Sequence, residues 1–412
     1  MRLSKNKTLN ENEIVEFVLS MGEALHKYGA AAHHIEAALG GLAERYCESA
    51  EFFATPTSIM GSFQFREKWL SRIKRVRPGG IHLGNLAQAD AIGDRVINGH
   101  IDIVTGTKLI RKIDQNSSAG SLQPLTALAF IMAATGFCGF FYGTWQDMTI
   151  TAAISSLTFL LSAMIERKNI FEQMPQFLIA VIVAVLSYLG LYVFPLCNPE
   201  RILLSGLIVL IPGLSITVGL SEIATNNWLA GTSRLVGAAA ELGKIAFGAV
   251  LGSKIAQMLP GLPPQSYETT TQVMVLPESL LLIASAFAFS VLFGNLTRDY
   301  IWVIFAACAA YYSSKFGGEA FDRELGAFLG GAVVAAFSNG YARWFKRPAL
   351  TVLLPGLIPM VPGTIGYRSV MALFHHDVNL TMQLGINLVI AAVALVAGLS
   401  LGNLLIHPRR SV

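Results

Sequence analysis

Two stretches of this chain, 150 residues apart, carry nearly the same text. Residues 202–213 read ILLSGLIVLIPG and residues 352–363 read VLLPGLIPMVPG, with seven of twelve positions identical. Both end in Pro-Gly: Pro212-Gly213 and Pro362-Gly363. The same offset sets Gly248 against Gly398 and Gly252 against Gly402 without a gap. A duplicated apolar unit interrupted by Pro-Gly has few ways to fold. Proline removes a backbone donor and clashes with the preceding turn, while glycine tolerates the geometry that results. The pattern predicts a helix broken in mid-membrane, once in each half. Freed backbone groups at such depth need protein, water or solute to satisfy them. Breaks of this kind line solute sites in transporters. The alternative is a pair of structural kinks packed against neighbouring helices.

Composition agrees with a membrane protein. The chain is 53% hydrophobic and 14% charged, against about 25% charged in a typical soluble domain. Residues 1–123 read as ordinary soluble sequence, and residues 124–406 are almost continuously apolar. The polar start, Met1 to Asn12, has no apolar core to follow it and is not expected to act as a signal peptide. Cys47, Cys138, Cys197 and Cys308 are scattered, fit no metal spacing and suggest no disulfide framework. No phosphate loop, nucleophile elbow or zinc motif is present, so neither a metal nor a cofactor is expected.

About 20 apolar residues cross a bilayer as a helix. Ten stretches qualify: 124–143, 147–165, 175–196, 200–224, 234–259, 277–296, 299–316, 324–345, 348–374 and 381–406. The offset maps the first five onto the last five. Because five is odd, the second unit enters the membrane from the opposite side, and the repeats are inverted. The expected architecture is a polytopic α-helical membrane protein with ten transmembrane helices. A small α+β domain at 1–123 precedes the five-helix repeats 124–259 and 274–409, which a pseudo-twofold axis in the membrane plane would relate. With the N-terminus inside, twelve Lys or Arg flank inner ends and at most five flank outer ones. The positive-inside rule therefore places both termini in the cytoplasm, the protein being a multi-pass protein of the inner (plasma) membrane.

Ionisable residues within spans are costly unless paired or wet. Glu241 and Lys244 stand three apart on one helical face, opposite Ala391 and Ala394 of the other repeat. They read either as a proton-coupling pair or as a buried ion pair that fixes packing. Glu222, near an inner helix end, reads as an interfacial residue that snorkels or as a second proton-coupling acid. Arg368 could attract a carboxylate or reach the outer interface, and Asn387 suits hydrogen bonds to solute or between helices. With Pro212, Gly213, Thr217, Pro362 and Gly363, these form the candidate solute site. The glycine-rich run 236–252 offers faces for close helix packing.

In the soluble part, Asn10 and Glu13 signal a helix start, and Ile14, Val18, Met21 and Leu25 form its stripe up to Gly29. A second helix is expected over 31–47, β-like runs over 51–65 and 70–77, and a further helix over 85–98. His33 with Glu36, and Asp90 with Asp94, read as helix-face charges. Arg72, Lys74, Arg75 and Arg77 read as a solvated strand face or a contact to anionic membrane lipids.

The order of soluble domain, five spans and five spans resembles the threonine/serine exporter family. The resemblance is carried by Gly29-Ala30, Ile35-Glu36, Thr55-Pro56-Thr57, the basic strand Arg72 to Arg77, Gly80-Ile81-His82-Leu83, Ile211-Pro212-Gly213 and Val361-Pro362-Gly363-Thr364-Ile365-Gly366. The chain departs from the family pattern at Ala31-Ala32, where the family has Glu-Thr, and at Thr217-Val218, where it has Thr-Asn. Glu222 stands for the family's aspartate. The resemblance implies export of threonine, serine or a similar small hydrophilic metabolite by proton antiport. It also implies two alternatives, a dicarboxylate such as succinate as solute or hydrolase activity in the soluble domain. A channel is the remaining alternative. No nucleic acid is expected as a partner, and assembly as a homo-oligomer is left open.

Overall fold

The computed structural model describes residues 10–77, 79–117, 123–168, 174–261 and 275–408. The N-terminal domain begins with α1 (Glu11–Lys27) and α2 (Ala32–Ala43). The Asn10 side chain caps α1 by accepting from the Asn12 N–H at 3.1 Å. Gly29, at φ +97°, makes the left-handed turn into α2. The run expected as β-like over 51–65 is a hairpin, β1 (Ser49–Thr55) and β2 (Ser58–Phe65), with Thr55 opposite Ser58. Thr55 Oγ1 accepts from the Ser58 N–H at 3.0 Å and closes the turn across Pro56, whose ring nitrogen has no hydrogen to donate. β3 (Lys68–Arg75) pairs antiparallel with β2, giving the order β1-β2-β3. α3 (Leu83–Ile97) and α4 (Ile103–Ser117) complete the domain, α4 having no counterpart in the sequence reading. Phe17, Met21, Ile35, Leu39, Ile59, Phe63 and Leu83 fill its core.

Twelve further α-helices follow among the described residues. The first half holds α5 (Pro124–Phe140), α6 (Trp145–Lys168), α7 (Pro175–Val193), α8 (Pro199–Leu207), α9 (Gly213–Ala224) and α10 (Trp228–Gln257). The second holds α11 (Glu278–Leu292), α12 (Tyr300–Ala320), α13 (Arg323–Phe345), α14 (Leu350–Leu357), α15 (Gly363–Phe374) and α16 (Val378–Leu405). Prolines open α5, α7 and α8, where the missing N–H would have no partner anyway. Among the described residues five helices are long and apolar enough to cross a membrane, namely α6, α7, α10, α13 and α16. The pair α14–α15, bent by 43° at its break, makes a sixth. α5, α9 and α11 are apolar but shorter. The ten crossings expected above thus go beyond what helix length and composition establish.

The two halves pack alike. α10 lies on α7 as α16 lies on α13; α9 lies on α10 as α15 lies on α16; α8 lies on α6 and α7 as α14 lies on α12 and α13. Glycine sets the closest approaches. A Cβ at Gly248 would stand 2.5 Å from the Phe177 carbonyl oxygen of α7, and Gly398 and Gly402 meet the carbonyls of Phe328 and Ala332 of α13 in the same way. α5 against α11 joins the halves.

The N-terminal domain is seated on one end of this bundle and shares its core with it. Ala230 and Leu354 belong to the same apolar cluster as Phe17 and Leu39. The Leu83 N–H donates to the Phe293 carbonyl at 2.7 Å, and the Gly84 N–H to the Gly294 carbonyl at 3.0 Å. At the opposite end Arg201 pairs with Asp147, and Glu278 takes Lys315 and the Tyr311 hydroxyl.

Candidate functional site

Both sequence-predicted breaks exist as local chain geometry. α8 stops at Leu207, and α9 starts at Gly213, with Pro212 at φ −78°, ψ 46° as its N-cap. α14 contains Pro355 and runs into a single 3-10 turn, Ile358–Met360, before α15 starts at Gly363 behind Pro362. The two breaks touch glycine to glycine. A Cβ on Gly213 would stand 2.6 Å from Val361 Cγ1 and 3.1 Å from Gly363 Cα. One on Gly363 would stand 2.8 Å from Gly213 Cα. No larger residue fits either place without moving the opposing break.

Around this contact lies a cavity of about 410 Å³. Residues 208–215 line it from the first break, and Ile358, Pro359, Val361, Gly363 and Thr364 from the second. Aromatic walls come from Phe137, Phe140 and Phe141 of the α5 end, from Phe289 and Phe293 of the α11 end, and from Tyr311 of α12. Glu241 of α10 is its one charged lining residue among the described residues, and Ile81 reaches it from the N-terminal domain. The volume suits a small molecule. α9 and α15 both begin here, so their first amides and the positive ends of their dipoles belong to the cavity wall. The carbonyls that end α8 are taken up by the turn that follows: Ser205 accepts from the Ile208 N–H and Leu207 from the Leu210 N–H.

The predicted residues divide. Pro212, Gly213, Gly363 and Glu241 line the cavity, and Pro362 is buried beside it as the cap of α15. Lys244, one turn on from Glu241, acts on it electrostatically but does not line the wall. Thr217 is buried, with its hydroxyl toward the Gly213 carbonyl at 3.4 Å, and holds the first turn of α9. Arg368 is exposed, its guanidinium 5.7 Å from the Phe141 ring centre, against a wall residue but outside the cavity. Asn387 is half-buried on α16 and does not line it. Sequence reasoning missed Ile81, Tyr311, Ser215, Thr364 and the phenylalanine wall. Ile81 and Thr364 stood within the motifs that carry the family resemblance, and Tyr311 offered a polar tip within an apolar span.

Glu222 does not snorkel. It is fully buried where α9 meets the N-terminal domain. Its Oε2 accepts from Arg234 Nε at 3.0 Å, and its Oε1 from Arg234 Nη2 at 2.9 Å and from the Ala32 N–H at 3.0 Å. The Ala32 amide opens α2, whose N-cap Ala31 has no side-chain acceptor of its own. A membrane-side carboxylate therefore caps a helix of the N-terminal domain. Three histidines surround it. Burial, and then the Arg234 charge, hold His33 down to about 4 and depress His26 as well. Burial and the neighbouring His33 hold His34 down to about 3. All three are neutral at ordinary pH. Glu36, read as a helix-face charge, accepts from the Ala54 N–H at 2.8 Å and ties α2 to β1, and Asp90 is buried. Of the basic strand, Lys74 pairs with Glu23 at 2.6 Å, while Arg72 and Arg75 are exposed beside Trp69 and Ile73.

These features define a helical membrane protein with an internal cavity at paired helix breaks. Residues 16–256 match the family model described as "Putative threonine/serine exporter", and residues 278–405 match that described as "Threonine/Serine exporter, ThrE"; the chain belongs to the threonine/serine exporter family. Among curated relatives, the pheromone-regulated membrane protein 10 of Eremothecium gossypii is 23% identical over 92% of this chain and 52% of its own length. That of Candida albicans is 25% identical over 86% of this chain and 33% of its own length. The Saccharomyces cerevisiae protein of the same name is 23% identical over 95% of the chain and 54% of its own length. The chain thus spans about half the length, or less, of these relatives. No solved structure matches it.

Proposed function

We propose that this protein is a secondary active carrier that exports threonine, serine or a similar small zwitterion, with the cavity at the two breaks as its solute site. The observation that carries this reading is the glycine-to-glycine contact of Pro212-Gly213 with Pro362-Gly363 inside a cavity of about 410 Å³. The apolar wall offers both signs of charge. The starts of α9 and α15 suit a carboxylate, while Glu241 suits an ammonium group. A dicarboxylate has no ammonium to meet Glu241, so the wall favours the amino acid. Glu241 is also the proposed proton carrier, with Lys244 one turn away. Ten crossings in two inverted repeats complete the reading, with the N-terminal domain and both termini on the cytoplasmic side of the plasma membrane. The like packing of the two halves supports the repeats.

Purified full-length protein in liposomes loaded with unlabelled solute tests this. Labelled threonine or serine should accumulate by countertransport, and an outward proton flux should accompany inward solute movement. Uptake of succinate with no uptake of either amino acid would overturn the substrate assignment. Flux without countertransport would make the protein a channel.

A further inference from the structure

We propose that the N-terminal domain is the gate on its own side of the cavity. The turn Gly80-Ile81-His82-Leu83 closes that end, and the cavity opens to that side only when the turn leaves its seat. This rests on the reading of the cavity as the solute site, and it gives the N-terminal domain a part in the transport path.

Ile81 comes from outside the bundle, yet its side chain is part of the cavity wall beside Phe293. The turn is gripped from two sides. On the domain side, a Cβ at Gly29 would stand 3.1 Å from Ile81 Cγ1 and 3.4 Å from Ile81 Cα, so glycine lets the α1–α2 corner press directly on the turn. The His82 N–H donates to the Tyr28 carbonyl at 3.2 Å. On the bundle side, Leu83 and Gly84 donate to Phe293 and Gly294 at 2.7 and 3.0 Å. Gly294 has φ +62°, and the His82 ring fills the space its Cβ would take, at 2.8–2.9 Å. The bundle-side grip is two main-chain hydrogen bonds and ring packing. Leu83 is also buried in the apolar cluster shared with Ala230 and Leu354, so unseating the turn costs buried contact and the seated state is the major one.

A second attachment links this seat to the solute. α9 starts at Gly213 in the cavity wall and ends just past Glu222, which holds the Ala32 N–H. Ala32 follows closely on Gly29, the residue pressed on Ile81. One short helix therefore runs from the cavity to the corner that holds the turn. A shift of the α9 start on solute binding moves Glu222 and, through Ala32 and Gly29, the Ile81 turn. The physical warrant is a contiguous packed path with an end that can be seated or unseated.

The test reads cavity access and needs no solute. In the full chain, with Cys47, Cys138, Cys197 and Cys308 replaced by alanine, Ser215→Cys places a thiol in the cavity wall. Membrane vesicles of known sidedness receive a membrane-impermeant maleimide from the domain side or from the opposite side. With the turn seated, domain-side modification should be slow. Ile81→Ala removes the plug and keeps the backbone bonds. Gly84→Val would drive a side chain into the Gly294 carbonyl oxygen, 2.5 Å from a Cβ there, and unseat the turn. Either change should raise the domain-side rate by about tenfold or more, Ile81→Ala by removing the plug from the seated turn and Gly84→Val by making a minor open population of a few per cent the major one. The opposite-side rate should stay within about twofold, because that population shift does not open the other end. A domain-side rate already fast in the parent overturns the proposal. So does an unchanged rate in both variants, each with a parent-like thermal transition. If labelling is gated but no amino acid is exchanged, the gate stands and the carrier reading falls.

Discussion

At the residue scale, the pair Gly213–Gly363 ties sequence most directly to geometry. The duplication made both breaks legible, since an identical Pro-Gly at one offset has a single local explanation. Their contact follows from the fold alone. Gly363→Ala puts a methyl group 2.8 Å from Gly213 Cα. It should cost about 1–3 kcal/mol as an overpacking change. It should also lower countertransport well beyond what that loss of stability explains, because the cavity wall itself shifts. Gly318→Ala, with nothing within 4 Å of the new atom, is the control and should leave both unchanged. Glu241 was legible for a different reason, the expense of a carboxylate in an apolar span. Glu241→Gln keeps its shape and removes its proton. The pH dependence of export should then vanish while solute exchange persists in part. A variant that inserts and keeps its pH profile would make Glu241 a packing residue. Glu222 was misread because its partner amide at Ala32 lies 190 positions away, and no local pattern announces such a pairing.

At the element scale, the helices of the apolar part were legible from length and hydropathy, and their breaks from proline. Elements that depend on long-range packing were not. α4 escaped because Lys108, Arg111 and Lys112 read as charges flanking a span, whereas Ile103, Ile110 and Ile113 form the stripe that buries it. The β-like run over 51–65 gives no local sign of the turn at Thr55-Pro56-Thr57, which is closed by a threonine hydroxyl and contains no glycine. α2 owes its docking to a cap from α9, and two outcomes follow. Glu222→Ala leaves Arg234 without its carboxylate and the Ala32 amide without its acceptor. Stability should fall by about 3–5 kcal/mol, the usual result of removing one member of a buried pair. The drop should be smaller in the Glu222→Ala/Arg234→Ala double variant than the sum of the singles, measured by thermal unfolding in detergent. The second outcome concerns pH. His33 is held from its ordinary 6.5 down to about 4, so the unfolded chain binds its proton first. The stability carried by neutral His33 is therefore complete above about pH 6.5 and is lost as pH falls toward 4. His26 and His33 feel the Arg234 charge, His26 and His34 feel Glu222, and added positive charge there opposes Arg234. Protection of the amides at the start of α2, taken relative to their intrinsic exchange rate at each pH, should fall over that window, and His33→Gln should make the profile shallower.

At the scale of the whole molecule, the domain divided off at residue 123 in the sequence does not stand apart in the structure. It shares apolar core with Ala230 and Leu354, bonds to Glu222, Phe293 and Gly294, and contributes Ile81 to the cavity. Composition suggests a boundary at residue 123, because charge content changes there. It could not reveal the docking, because the surfaces involved are short and separated in sequence. These contacts also constrain topology. The segments around residues 222–234, 293–295 and 350–354 all meet the domain, so they lie at one end of the bundle. The ion pairs Asp147–Arg201 and Glu278–Lys315 lie at the other. That arrangement agrees with five crossings before the loop that follows α10 and five after it, although α5, α9 and α11 are each shorter than a full span. A broken helix reaches both interfaces only when its two pieces are counted together, and a short helix does so by local thinning of the bilayer. Cysteine labelling in intact cells decides the matter. In the cysteine-free chain, Gly261→Cys and Glu319→Cys should react with an impermeant maleimide from outside, and Lys346→Cys only after the membrane is opened. An even number of crossings in the first half would place residue 261 on the domain side and leave Gly261→Cys unreactive in intact cells. The two halves would then be parallel repeats, and the shared Pro-Gly breaks would enter the cavity from one face of the membrane instead of two.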